Sequence, residues 1–441
     1  MKNTPLKKAA SILLAAAMIA GIALAAASCQ SGAARAGGDP WSRDNFAARA
    51  PSFQPGQPHG APALSLTRFM SDNLRYRIAF SYRERDAAAW IVEELLAIGF
   101  DWQDIRVQEF AYADVSWFCP FGFGWAEAEQ WSRQGGIPLR QDRMSQNVIV
   151  TIPGQSERFI VAGAHYDSYL SAGASDNASG VALLLESAYR MRGADNYHTI
   201  VYAFFGAEEL GLWGARYFHD SLSPRELDNL VMMVNADGVI DGPYLMYAAA
   251  AGSGPGFEFL PNFIEVVAAT AAAQIEAMLA QIGFEALLGA MGMAGMGIES
   301  PEQLIEIVVA QNSAVPPVAV FSMWEPAPTP ASAQIDGIAS ALSAQNDFEL
   351  LAIPRGIVYP TDQMVFLLEG HMVVVLAGLA RVPGQDNMEF LMARDNGLVS
   401  HFLHTASDEF SYIEAFSPGM MGRNLRAFSL LLEGILLEKF D

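Results

Sequence analysis

The sequence is poor in cysteine, poor in positive charge and poor in charge altogether. Two cysteines, Cys29 and Cys119, occur in 441 residues. Neither a disulfide framework nor a cysteine-based zinc site can be built from them. Charged residues make up 17% of the chain, and 26 Lys and Arg stand against 48 Asp and Glu, a formal net charge of -22. Such a balance repels nucleic acid and anionic lipid and argues against a phosphate-backbone binder. What fills the chain instead is apolar, with AVILMFWYC residues at 52%. That excludes a disordered acidic chain. The length allows one large α/β domain or two small ones, with ample material for a buried core.

Lys2, Lys7 and Lys8 precede an apolar run from Ala9 to Ala27, which ends on Ser28-Cys29. This is the shape of a secretory signal peptide over residues 1–28. The Ala26-Ala27-Ser28-Cys29 end resembles a bacterial lipoprotein cleavage box, with Ala26 where Leu is usual. Small residues admit the peptidase and the Cys29 thiol takes the lipid. The alternative is an uncleaved anchor, since the run is about as long as a short membrane span. On either reading the bulk of the chain is exported to the cell envelope, periplasmic or outer surface, and touches membrane only at its N-terminal end. Cleavage removes three Lys and no acid, so the mature chain is more acidic still. With Cys29 acylated, Cys119 is the only free thiol; its neighbours Trp117, Phe118, Pro120 and Phe121 mark it as buried and inert. Residues 29–62, rich in Gly, Ala, Pro and Ser without an apolar period, read as a flexible linker.

Residues 63–441 read as the folded part. Leu64 to Gly99 carries a helical pattern with Gly99 as C-cap. Strand-like runs then alternate with helical ones. Asn147–Ile152, Phe159–Ala164, Thr199–Phe205 and Leu230–Asn235 read as strands, and Ala178–Met191 and Leu212–Asp220 as helices. Continuous apolar strands alternating with helices imply a mostly parallel sheet covered on both faces. Gln363–Glu369 and Met372–Ala377 read as two further strands and Gly422–Lys439 as a closing helix. Residues 248–343, rich in Ala, Met and Gly, read as a helical insertion: an extra layer of the core, or a lid whose Met side chains line a cleft.

Five places carry chemistry, and three of them closely follow a strand, where open parallel sheets bind ligands. His165 offers an imidazole, with Asp167 two residues on and able to accept its other ring N–H. Asp176 sits in Gly173-Ala174-Ser175-Asp176-Asn177-Ala178-Ser179-Gly180, where it caps a helix or bridges two cations. Glu208 and Glu209 follow a buried strand; either they are solvated loop acids, or one binds metal while the other serves as general base. Asp237, before Gly238, is a turn residue or a ligand. His404 is a surface or core histidine or a ligand, with His401 as the alternative. Each is ordinary alone. Together they make an N/O donor set suited to zinc, with manganese or cobalt less favoured, and two such ions polarise a carbonyl and activate water at neutral pH.

At these residues the chain resembles metallopeptidase family twenty-eight, the di-zinc aminopeptidases that include aminopeptidase Y, bacterial leucyl-type aminopeptidases and glutamate carboxypeptidases. The resemblance runs in order through Ser145 to Ile149, His165 to Ser168, Gly173 to Gly180, Phe205 to Gly211, Asn235 to Asp237, and His404-Thr405 with Asp408. It implies a three-layer α/β sandwich with a mixed, mostly parallel central sheet. It implies two zinc ions per chain, with Asp176 bridging, His165 and Asp237 completing one site, and Glu209 and His404 the other. Glu208 would be the general base and Asp167 would orient His165. Two departures fall on the substrate-pocket wall: Thr361-Asp362-Gln363 stands where Ser-Asp-His is common, and Gly370-His371-Met372 where Gly-Ile-Pro is common.

The function so implied is that of an exported metal-dependent exopeptidase, an aminopeptidase with peptide as its partner and no nucleic acid. The alternatives are a glutaminyl cyclase, which uses one zinc and typically lacks the Asn-Ala-Ser-Gly sequence after Asp176, a carboxypeptidase, or a non-catalytic binding ectodomain on the same scaffold.

Overall fold

The computed structural model describes residues 53–115, 124–251, 300, 329–352, 361–379, 404 and 406–440. The signal peptide, the linker up to residue 52, Cys119, most of 248–343, His401 and Thr405 lie outside them. Two compact units are distinguished. One comprises Met1–Ala36, Phe257–Val320 and Arg394–Asn396, of which Ser300 alone is among the described residues. The other comprises Gly37–Gly256, Phe321–Ala393 and Gly397–Asp441 and carries every element below.

Its centre is an eight-stranded mixed sheet. The strands are β1 (Ile105–Ala111), β2 (Met144–Ile152), β3 (Ser156–His165), β4 (His198–Phe205), β5 (Leu230–Ala236), β6 (Tyr244–Ala251), β7 (Leu350–Ala352) and β8 (Met372–Leu379). They lie in the order β1-β2-β4-β3-β5-β8-β6-β7. The middle run of β4, β3, β5 and β8 is parallel. Toward one edge β1 and β2 pair antiparallel; toward the other, β6 pairs antiparallel with β8 and parallel with β7.

Alternate side chains of the middle strands feed two cores, the consequence of the two-residue strand period. Ile160, Ala162, Tyr202, Phe204, Met232 and Val234 pack against helices α1 (Ala61–Asn73), α2 (Tyr82–Ile98), α4 (Ser179–Met191) and α10 (Met420–Leu437). Phe159, Val161, Ala203, Phe205 and Met233 pack on the other face against α5 (Trp213–Asp220) and α8 (Gln363–Leu368). The remaining helices are α3 (Trp125–Gly135), α6 (Pro224–Asn229), α7 (Pro330–Gln345) and α9 (Phe410–Phe416). This is the three-layer arrangement with a mixed sheet that the family resemblance implies. Helix α1 has no side-chain cap of its own. The buried Glu186 of α4 supplies one, accepting the N–H groups of Gly60 at 2.8 Å and Ala63 at 2.9 Å.

Three local readings change. Gln363–Glu369 is not a strand but helix α8. Met364, Val365, Phe366 and Leu367 are all buried, and an unbroken apolar run of this length fits a buried helix turn as well as a buried strand. The helical pattern from Leu64 to Gly99 is two helices, parted at residues 74–81, where Tyr76 and Phe80 take positive φ. Helix α1 also takes in Ala61 and Pro62, the last two residues of the segment read as linker.

Candidate metal centre

Strands β3, β4 and β5 run side by side in one direction, so their carboxyl ends share one edge of the sheet. His165 is the last residue of β3, Asp237 follows β5, and Glu208 and Glu209 come shortly after β4. Asp167 ties two of these segments together. One of its carboxylate oxygens accepts the N–H of Glu208 at 3.0 Å and the other that of Glu209 at 3.1 Å. Its Oδ1 also lies 3.5 Å from His165 Nδ1.

Asp176 enters from a turn, Ala174–Ala178, that precedes α4. It does not cap that helix: its backbone is non-helical at φ -115° and ψ 93°, and no side-chain cap bond forms. Instead its two oxygens part. Oδ1 lies 3.1 Å from His165 Nε2 and Oδ2 lies 3.1 Å from His404 Nε2. Asp237 Oδ1 approaches His165 Nε2 at 3.4 Å, and Glu209 Oε2 approaches His404 Nε2 at 3.1 Å. The turn is pinned to the sheet by Asn177, which donates to Ala236 O at 2.9 Å and accepts from Gly180 N–H at 2.9 Å. Gly180 has to be glycine there, since a Cβ would stand 2.2 Å from Ala236 O.

Residues far away in the chain hold these segments from below. Arg77 is fully buried, and its guanidinium donates to the carbonyls of Leu74, Tyr166, Ala172 and Gly173 at 2.6–2.9 Å. It thereby fixes the 166–173 loop between His165 and Asp176. Glu84, also fully buried, accepts Ala207 N–H at 2.9 Å, next to Glu208. Tyr169 touches both partners of one half of the cluster. Its N–H donates to Glu209 Oε1 at 2.8 Å, and its ring lies 5.2 Å from the His404 ring, tilted by 32°. Trp131 of α3 meets the other side of Tyr169 edge-on at 4.7 Å.

The electrostatics are those of too many acids around two imidazoles. Burial drives the Glu208 carboxyl well above the usual carboxylate range; His165 opposes this, while Asp362, Glu209 and Asp237 reinforce it. Asp176 goes the other way: burial disfavours its charge, but His165 and His404 outweigh burial and pull it below its ordinary value. Burial works against protonation of His165, yet Glu208 and Asp237 prevail and raise it well above the ordinary range. Unlike the other members, His404 is half-exposed, with 48% of its side chain accessible.

The donor atoms converge on points between the residues rather than on one another. Both ring nitrogens of His165 and Asp237 Oδ1 are buried without a hydrogen-bond partner, despite neighbours near 3 Å. Two groups of three ligand atoms form, His165 with Asp176 and Glu209, and His165 with Glu208 and Asp237, each within 4.8 Å. Orphaned nitrogens, clustered carboxylate oxygens and no sulfur fit borderline divalent cations such as zinc.

Comparison with known proteins covers His165, Asp167, Asp176, Glu208, Glu209 and Asp237, though not His404. Residues 147–286 match the family model of Peptidase family M28. Over this segment, about a third of the chain, the sequence is similar to that family. Aminopeptidases match over short stretches. The probable lipoprotein aminopeptidase LpqL of Mycobacterium tuberculosis is 39% identical over 100 residues, 22% of this chain and 20% of its own. Aminopeptidase YwaD of Bacillus subtilis is 37% identical over 102 residues, 22% of each chain. Leucine aminopeptidase 2 of Trichophyton equinum is 32% identical over 103 residues, 23% of this chain and 21% of its own. The alignments thus span about a fifth of the length of each relative.

All seven residues singled out in the sequence (His165, Asp167, Asp176, Glu208, Glu209, Asp237 and His404) meet in this cluster. His401, the alternative to His404, lies outside the described residues. Sequence reasoning did not single out Arg77, Glu84 or Tyr169, and it set Asp362 aside. Asp362 is fully buried, and among the described residues neither of its carboxyl oxygens has a hydrogen-bond partner. Burial raises its carboxyl well above the ordinary range, against the pull of His165 and with the push of Asp237 and Asp167. Its signal in the sequence was slight: an acid between two polar residues, just ahead of an apolar run.

Proposed function

We propose that this chain is an exported zinc exopeptidase that removes N-terminal residues from peptides. One observation carries the reading: the two oxygens of Asp176 are divided between His165 and His404, each at 3.1 Å. A carboxylate shared this way is what a pair of cations requires.

In this reading His165 and Asp237 hold one zinc ion, Glu209 and His404 hold the other, and Asp176 serves both. Asp167 fixes the ring of His165 and, through two backbone N–H groups, the loop that carries Glu208 and Glu209. Two zinc ions bound there would supply Lewis acidity toward a scissile carbonyl and its attacking water. Glu208 takes a proton from the attacking water at its carboxylate and returns it to the leaving amine. The base is placed by Asp167 through the Glu208 N–H and by Glu84 through the neighbouring Ala207 N–H.

Export rests on Lys2, Lys7 and Lys8, the apolar run to Ala27 and Cys29. It accords with a relative named as a probable lipoprotein aminopeptidase. Residues 29–62 then act as the tether of a lipid-anchored enzyme, and 248–343 as an insertion in its peptidase domain. A panel of aminoacyl chromogenic substrates, assayed with and without chelator and zinc rescue, tests the reading. Turnover that chelator removes and zinc restores is expected. A fully zinc-loaded sample that cleaves no aminoacyl or peptide substrate overturns it, and a single zinc per chain overturns the two-ion part.

A further inference from the structure

Apart from the Asp176 cluster, the described residues hold a second pair of close imidazoles. His219 lies in the last turn of α5, and His371 in the turn between α8 and β8. Their ring centres are 5.4 Å apart and the rings are inclined at 57°. We propose that His219 and His371 form a two-imidazole clip for one zinc ion, separate from the pair of ions assigned to the Asp176 cluster.

Two imidazoles that share one metal have ring centres at this spacing. With Zn–N bonds of about 2.0–2.1 Å and tetrahedral angles, two ligated rings have centres about 5 Å apart. The condition of His219 argues the same way. It is 5% exposed, and among the described residues neither of its ring nitrogens has a hydrogen-bond partner. A buried imidazole with unsatisfied nitrogens is costly, and a metal ion would satisfy one of them. Its Nδ1 lies 3.6 Å from Asp220 Oδ1, and the Phe366 ring stands edge-on to it at 5.4 Å. A carboxylate beside one nitrogen and an aromatic wall across the ring are the supports that orient a metal-binding histidine.

The surrounding charges are also suited to a cation. Asp220 and Glu369 flank the two histidines, and both are held by the single guanidinium of Arg216, at 2.7 Å and 2.6 Å. Two carboxylates against one arginine leave a net negative charge around the rings. Burial lowers the proton affinity of His219 and of His371, which keeps both in the neutral, ligating form near pH 7. His371 is only partly buried, so water can complete the coordination. Bound zinc would join the end of α5 to the turn before β8. The start of α5 follows the Glu208–Gly211 loop directly, so the clip would brace an element that leads out of the proposed catalytic loop.

The test is zinc binding to the full chain by equilibrium dialysis at neutral pH, comparing the parent with His371→Gln. The variant is expected to bind one zinc fewer per chain, with unchanged far-UV circular dichroism. The same loss is expected when His371→Gln is placed in an Asp176→Asn background, where the paired site is disabled. Failure of the paired-site reading would appear in Asp176→Asn alone, and failure of the clip in His371→Gln alone. A second variant, His219→Gln, should reproduce the loss, and acidification that protonates the imidazoles should erase the difference. Equal zinc content in parent and His371→Gln, in either background, overturns the proposal. So does a loss in His371→Gln that does not depend on pH.

Discussion

Asp408 holds Asp176 by the backbone. Its carboxylate accepts the N–H of Asp176 at 3.2 Å and that of Ser175 at 2.6 Å, across 232 and 233 residues of chain. Its own carbonyl accepts Ala174 N–H at 3.3 Å. The turn that presents Asp176 to the two histidines is thus fastened to the segment that carries His404. Asp408→Ala leaves two buried N–H groups unpaired, at about 1–3 kcal/mol for each. The urea midpoint is expected to fall with the m-value unchanged, and Asp408→Asn, which keeps one acceptor oxygen, to fall less. Equal midpoints for parent and Asp408→Ala would remove this tie from the account of the site.

Glu208 is the one carboxylate of the cluster whose proposed task is proton transfer alone. Glu208→Gln keeps the shape and loses the basic oxygen. Activity on an aminoacyl substrate should drop by about 10²–10⁴-fold, with zinc content by atomic absorption unchanged. Near-parental turnover by Glu208→Gln would take the role of base away from it.

Tyr169 touches Glu209 through its backbone and His404 through its ring. Only the ring is open to mutation, and His404 is the exposed member of the cluster. Tyr169→Ala is therefore expected to weaken the hold on one zinc ion of the proposed pair, while Tyr169→Phe, which keeps the ring, binds as the parent does. Chelator competition followed by metal analysis reads this directly. Identical release from Tyr169→Ala and the parent would show that His404 needs no shelf.

Glu94, in α2, gives a pH dependence away from the metal cluster. Burial, assisted by Glu93, pushes its carboxyl up to about 8 from an ordinary 4.5. The folded chain therefore holds a proton here that the unfolded chain gives up, and stability falls as pH rises from about 4.5 to about 8. The full span corresponds to a few kcal/mol, on the order of 1.4 kcal/mol per unit. Glu94→Gln cannot ionise, so its melting temperature should gain on the parent's between pH 5 and pH 8. Parallel melting curves across that range would show that Glu94 is not buried as a carboxylic acid.

Much of this was legible in the chain. The apolar runs at 147–152, 159–164, 199–205 and 230–235 are strands, because two-sided burial demands unbroken apolar sequence. Strand β1, by contrast, has an exposed middle in its burial pattern, which left no apolar run to read. Helix α8 looked like a strand because burial on all sides erases the helical period.

By itself the sequence determined the two-sided sheet, the net negative charge and the inventory of donors from His165 to His404. These follow from composition and short-range order, which each segment carries alone. Only the tertiary structure decided that Asp176 divides its oxygens between two histidines, that Arg77 and Asp408 hold the loops beneath them, and that His219 stands beside His371. Such relations depend on where distant segments come to rest when the sheet closes its two cores, and no local pattern records that.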